Sequence, residues 1–183
     1  MKKIALITGI LFGSFQANAQ ALNEVEWNVF NTIVQQSVEI GYEHFVDRDQ
    51  SVGVDLFLND RFSYATESNK DSKYKKFNTS SIGVNYSFYF GGKTNQHASG
   101  LYVQPFLKYR FGDYVEYNDV IQEREVTEMN SLILGVGAGY KFVKNDAFTF
   151  TPFINIGRNF NQDVADEFIA VEVNAGLNVG YRF

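Results

Sequence analysis

Val-Glu-Val-Asn-Ala-Gly-Leu-Asn-Val-Gly-Tyr-Arg-Phe, residues 171–183, is the stretch on which the reading of the chain turns. Val171, Val173, Ala175, Leu177, Val179, Tyr181 and Phe183 are apolar or aromatic, whereas Glu172, Asn174, Gly176, Asn178, Gly180 and Arg182 are polar, charged or glycine. A strict period of two sends these two sets to opposite faces of one β-strand. Thirteen residues of unbroken alternation are roughly twice the length of an ordinary strand.

Seven earlier runs repeat the pattern. Residues 24–33 carry Val25, Trp27 and Val29 on one face; 38–45 carry Val38, Ile40 and Tyr42; 51–59 carry Val52, Val54, Leu56 and Leu58; 81–90 carry Ile82, Val84, Tyr86, Phe88 and Phe90. Residues 101–111 carry Leu101, Val103, Leu107, Tyr109 and Phe111; 131–142 carry Leu132, Leu134, Val136, Ala138, Tyr140 and Phe142; 148–160 carry Phe148, Phe150, Ile154 and Ile156. About 9–11 residues suffice for a tilted strand to cross a bilayer. An open sheet would leave unpaired edges that hydrocarbon cannot satisfy, so the runs must close on themselves. The expected fold is all-β: one eight-stranded antiparallel transmembrane β-barrel. Pro105 and Pro152 fall on the outward phase; proline cannot donate to a ladder, so each is expected to mark a bulge or a missing bond.

Residues 1–19 read as a cleaved signal peptide, leaving 20–183 as the barrel domain. Lys2 and Lys3 precede a mostly apolar run over 4–15, and Ala17-Asn18-Ala19 supplies a small-x-small cleavage site. That run is shorter than the roughly 20 residues a membrane-spanning helix needs. Cleavage takes the net charge from −5 to −7, a balance unsuited to nucleic acid. The absence of cysteine removes a lipid anchor, disulfides, thiol catalysis and thiolate metal sites; no cofactor is expected.

Connections alternate in length. Residues 47–50 and 144–146 are tight turns and 90–99 a modest one, whereas 60–79, 112–129 and 161–170 are longer and polar. Small barrels have short periplasmic turns and longer outer loops, so both termini are expected in the periplasm; the first outer loop, around 34–37, is then unusually short. The 60–79 loop has a net charge of +2, with Lys70, Lys73, Lys75 and Lys76 at its centre, against −5 in 112–129 and −3 in 161–170. One reading is a solvated surface. The sharper one has the lysines docking on an acidic neighbour or on lipopolysaccharide phosphates, with divalent cations bridging the acidic loops to the same phosphates; salt would screen such attraction.

Segments 23–31 and 38–58, Ser-Phe-Tyr-Phe-Gly-Gly at 87–92, residues 135–140, Asn-Ile-Gly-Arg-Asn at 155–159 and the Gly-Tyr-Arg-Phe ending resemble the OmpA-like or OmpW-like small outer-membrane barrels, among them a group of unknown function. The resemblance implies a monomer in the outer membrane of a Gram-negative bacterium, in contact with outer-membrane lipid and lipopolysaccharide. It also implies that Tyr181 and Phe183 form a C-terminal signal for the barrel-assembly machinery. It brings no catalytic residues, and no peptidoglycan-binding domain is expected after the last strand.

On the inward phase, Glu26, Glu39, Glu43 and Asp55 come from early strands and Lys108, Arg110, Lys141 and Arg182 from later ones. Glu26, Glu43, Lys141 and Arg182 are placed near the periplasmic end; Glu39, Lys108 and Arg110 sit higher. Buried charges need partners, and an eight-stranded barrel is only wide enough for side chains to fill it. An internal ion-pair network plugging the lumen is therefore expected, with a polar binding or conduction path as the alternative. Phe30, Phe57, Tyr89, Tyr102, Phe106 and Phe153 share the inward phase with Gly41, Gly53, Gly83, Gly135, Gly137 and Gly139. These are read as packing, or else as a pocket for small hydrophobic molecules of the OmpW-like kind.

His97-Ala98-Ser99 offers a base beside a nucleophile, in a His-x-Ser arrangement resembling lipid A deacylases. It falls on the periplasmic side, away from outer-leaflet lipid A, and His44 has no serine and acid partners in view. A non-enzymatic barrel with a structural or surface-interaction role is expected; lipid A modification is the weaker alternative.

Overall fold

A computed structural model describes residues 22–60, 74–91, 97–118, 123–162, 164 and 170–183; the expected signal peptide lies outside them. In chain order the elements are β1 (Asn23–Asn28), α1 (Val29–Gln35), β2 (Val38–Asp47), β3 (Gln50–Leu58), β4 (Tyr74–Phe90), β5 (Gly100–Asn118), β6 (Glu123–Glu128), β7 (Ser131–Lys144), β8 (Phe148–Asn159) and β9 (Val171–Arg182). The order around the sheet is β4-β3-β2-β1-β9-β8-β7-β5-β6, and β4 also pairs with β5, which closes the ring. β6 pairs with β5 from Asp113 outward, and β7 takes over from Arg110. These two strands form one stave interrupted at Met129 and Asn130, so eight antiparallel staves make a closed barrel. The first and last strands meet at the seam: Glu24 faces Arg182, Asn23 N donates to Phe183 O at 3.1 Å and Phe183 N to Asn23 O at 2.9 Å.

Alternation puts apolar side chains outside and polar ones inside. Trp27, Ile40, Leu56, Ile82, Leu107, Leu134, Ile156 and Val179 are among the large apolar residues left exposed, while Glu24, Glu43, Lys108, Arg110, Lys141, Glu172 and Arg182 are buried. A continuous apolar outer surface of this extent is what a hydrocarbon solvent accepts and water does not. Among the described residues, no helix is long and apolar enough to cross a membrane. The β7–β8 turn spans residues 145–147 and is tight because Asn145 and Asp146 adopt φ of 55° and 53°, and Ala147 N donates to Lys144 O at 3.3 Å.

The first stave departs from the sequence reading. β1 stops at Asn28, whose side-chain oxygen accepts from Asn31 N at 3.0 Å and caps α1; Gln36, in the left-handed conformation, ends it. Residues 29–33 are thus helical, and Phe30 is exposed instead of pointing inward. The connection expected to be a short loop around 34–37 is mostly this helix. Residues 74–79 and 112–118, expected in loops, extend β4 and β5, and residues 123–128, also expected in a loop, form β6. At both prolines the register continues unshifted while the ladder lapses: Tyr86 lies opposite Pro105 and Ser87 opposite Gln104, and Tyr140 lies opposite Pro152 and Lys141 opposite Thr151. A missing bond, not a bulge, accommodates each ring.

Candidate functional site: the charged interior

Three polar layers cross the barrel. At the end where β1 begins and β9 finishes, β1 supplies Glu24 and Glu26, β2 Glu43, β7 Lys141 and β9 Arg182. The Lys141 ammonium lies 2.7 Å from Glu26 and 3.3 Å from Glu24, and it also pairs with Glu43. Arg182 Nε donates to Glu24 at 2.8 Å, while Nη1 and Nη2 donate to the carbonyls of His97 and Ala98, each at 2.7 Å. Its guanidinium also lies 4.7 Å from the Phe45 ring centroid. Tyr89 Oη donates to Glu43 at 2.5 Å; Ser51 donates to Glu43 and Thr149 to Glu24. Phe45, Tyr89, Ala98, Tyr102 and Phe153 pack around this layer.

Glu26, Glu43, Lys141 and Arg182 are therefore brought together, but Glu24, which the sequence reading passed over, links the lysine to the arginine. The signal was available: Glu24 shares the parity of Glu26. Glu24, Glu26 and Glu43 present oxygens within 4.8 Å of one another, a grouping that could suit a cation, and the Lys141 ammonium already sits among them.

The middle layer holds Glu39 and Asp55. Glu39 accepts from Asn28 Nδ2 and Asn31 Nδ2, each at 2.7 Å, and Asp55 accepts from Asn85 Nδ2 at 2.7 Å. The sequence reading placed both in the ion-pair network; among the described residues they are held by amides instead. Lys108, the base nearest in height, is engaged by Asp60 at 2.9 Å and lies 4.5 Å from the Phe57 centroid.

At the far end, Arg110 Nε donates to Asp60 at 2.9 Å, and its two terminal nitrogens grip Glu172 at 2.5 and 2.8 Å, a bidentate pairing. Ser81 donates to Asp60 at 2.5 Å and Asn159 to Glu172 at 3.2 Å. Asp60 lies beyond the end of β3. Burial alone would raise its pKa, but Arg110 and then Lys108 outweigh that and hold the carboxyl well below the usual range. Sequence alone puts Asp60 in the 60–79 loop and offers Glu172 no partner, because which residues meet across a tilted barrel depends on stagger between strands.

Two cavities, of about 50 and 40 Å³, lie between the layers, each with room for a few waters. Both are lined in part by Asp55, Phe57, Gln104 and Asn155. Glycines admit the large rings: a Cβ on Gly139 would come within 2.7 Å of the Tyr102 ring.

Of the remaining sequence-derived residues, Tyr181 lies on the outer face, edge-on to Phe148 with centroids 5.4 Å apart. Phe183 pairs through its backbone with Asn23. Lys70 and Lys73 lie outside the described residues; the backbones of Lys75 and Lys76 pair with Glu116 and Val115, and their side chains also lie outside the description. His97-Ala98-Ser99 sits at the end where β9 finishes, where Arg182 takes up two of its carbonyls.

Eight closed antiparallel staves with an apolar exterior and a charged interior define the small outer-membrane β-barrel fold. Solved structures share it: the N-terminal β-barrel domain of Pseudomonas aeruginosa OprF, at 15% identity and a TM-score of 0.52, covers 88% of this chain and 96% of its own. Neisserial surface protein A (NspA), at 14% identity and a TM-score of 0.54, covers 88% of this chain and 93% of its own. At such identities the likeness is one of fold. No protein-family model and no curated protein matches the sequence.

Proposed function

We propose that the chain is a non-enzymatic integral outer-membrane barrel whose interior is plugged and whose role is structural or surface-interacting. In this reading the end where β1 begins and β9 finishes faces the periplasm, and the opposite end, with the β3–β4 and β5–β6 connections, faces outward. The observation that carries the reading is the inversion of the usual core: an apolar exterior around layers of paired charge. Charges buried this thoroughly serve a narrow barrel as filling, since each must be matched on the spot. Both cavities are lined by carboxylates and amides as well as rings, which does not favour passage of small hydrophobic molecules. Interaction then belongs to the outward loops, where function in such scaffolds concentrates. The basic 60–79 segment suits lipopolysaccharide phosphates, with the acidic loops joined to them through divalent cations. Trypsin treatment of intact cells tests the topology: cleavage among Lys70, Lys73, Lys75 and Lys76 without permeabilisation is expected. Cleavage only after the outer membrane is opened would contradict it.

A further inference from the structure

β1 is too short for its neighbour. Asn28 pairs with Asn178 as the last rung of the β1–β9 ladder. Continued in register, residues 29–35 would lie opposite 177–171, yet they form α1, which packs against β9 and β2. The β1-facing edge of β9 is therefore flanked by a helix over that stretch. Polar side chains stitch the two together: Asn31 Nδ2 donates to Asn174 Oδ1 at 2.7 Å and Leu177 N to Asn28 Oδ1 at 3.4 Å. Hydrocarbon offers no partner for a bare strand edge; here α1 shields that edge, and Asn28 Oδ1 takes up the Leu177 amide.

The other side of α1 is apolar and bare. Phe30, Ile33 and Val34 are 43%, 80% and 57% exposed, while Asn31 is fully buried. At 3.6 residues per turn the three apolar side chains span an arc of about 100°, and Ile33 points roughly 160° away from Asn31. On either flank lie outward apolar residues of the barrel: Val171 and Val173 of β9, Ile40 of β2, Leu56 and Leu58 of β3, all exposed. No charged residue occurs between Glu26 and Glu39, whereas 60–79 and 112–129 hold eight and seven. Trp27, outward on β1, donates through Nε1 to Thr32 Oγ1 at 2.9 Å and so ties the helix to the belt.

We propose that α1 is a lipid-contacting segment of the barrel wall, covering the free edge of β9 and presenting Phe30, Ile33 and Val34 to the acyl chains of the bilayer. Continuity with the apolar belt on both flanks selects lipid as the occupant. Three side chains are far too little for a stable protein interface, which takes roughly 1,600 Å². The inference rests on the membrane reading above and adds that this connection, unlike the charged ones, is immersed.

The chain contains no cysteine, so single substitutions take a single label. Ile33→Cys, Leu134→Cys on the belt and Asp49→Cys in a turn would each carry an environment-sensitive fluorophore, with the full barrel folded into phosphatidylcholine vesicles. The label at position 33 is expected to emit like that at 134, and acyl-brominated lipid should quench the two to within about twofold. Aqueous iodide should reach only the label at 49. If position 33 behaves like 49 while 134 reports lipid, the proposal for α1 is overturned and the membrane reading stands. Solvent-like behaviour at both 33 and 134 overturns both. Should Ile33→Cys not fold, Val34→Cys replaces it with the same expected results.

Discussion

Replacing Arg110 by methionine should be among the most damaging single changes to the barrel. The guanidinium is fully buried and holds two carboxylates, Asp60 through Nε and Glu172 through both terminal nitrogens. Without it Asp60 keeps Lys108 at 2.9 Å and Ser81 at 2.5 Å. Glu172 keeps only Asn159 at 3.2 Å among the described residues. The cost is therefore that of one stranded buried carboxylate, about 3–5 kcal/mol. Glu172→Gln in the same chain removes the stranded charge and should return about 2 kcal/mol, a coupling of the size seen between residues in direct contact. Urea unfolding in lipid vesicles, followed by the fluorescence of Trp27, the single tryptophan, measures both effects. The reasoning is refuted if Arg110→Met lies within about 1 kcal/mol of the parent, or if the double variant is no better than Arg110→Met alone, since either result means Glu172 is not stranded.

Acid should loosen the same layer: the folded-state pKa of Asp60 lies below its ordinary value. Asp60 thus contributes stability above about pH 4 that is lost as pH falls through its folded pKa. Asp60→Asn should accordingly lose less stability than the parent on acidification, read from unfolding midpoints at successive pH values. Arg182→Met removes the bonds to Glu24 and to the carbonyls of His97 and Ala98 and should cost about 3–5 kcal/mol; unchanged urea unfolding would mean the cluster is not structural. Deleting Phe183, whose backbone pairs with Asn23 at the seam, should lower outer-membrane yield far more than folded stability. Normal yield on membrane fractionation would remove the assembly reading of the C terminus. Changing Lys70, Lys73, Lys75 and Lys76 to glutamine should weaken lipopolysaccharide binding at low salt; equal binding by variant and parent would leave that loop a solvated surface.

The staves were legible because a membrane on one side and a narrow interior on the other enforce strict alternation, as in Leu132, Leu134 and Val136. Where either constraint lapses, so does the signal. Residues 74–79 and 112–118 form strand with no apolar period to announce it, held by cross-strand pairing and by Tyr114 packing against Met129 and Val164. Val29 and Phe30 fit the outward and inward phases of β1 as well as the apolar side of a helix, and the Asn28 cap decided between them. Inside, parity identified which side chains point inward but not which meet. Arg110 reaches Glu172 and Asp60, and Glu39 turns to Asn28 and Asn31, because stagger around the barrel sets relative height. Glu24 could have been found from its parity with Glu26 and its place opposite Arg182 at the seam.

The central claim is that charge-paired side chains close the interior of a membrane-embedded barrel, and planar-bilayer recording of the purified protein tests it most directly. With Lys141 and Arg110 engaged at opposite ends of the interior, the account predicts stable insertion without steady conductance. Arg110→Met and Lys141→Met would produce at most brief flickers. Steady, sizeable channels from the unaltered protein would contradict it.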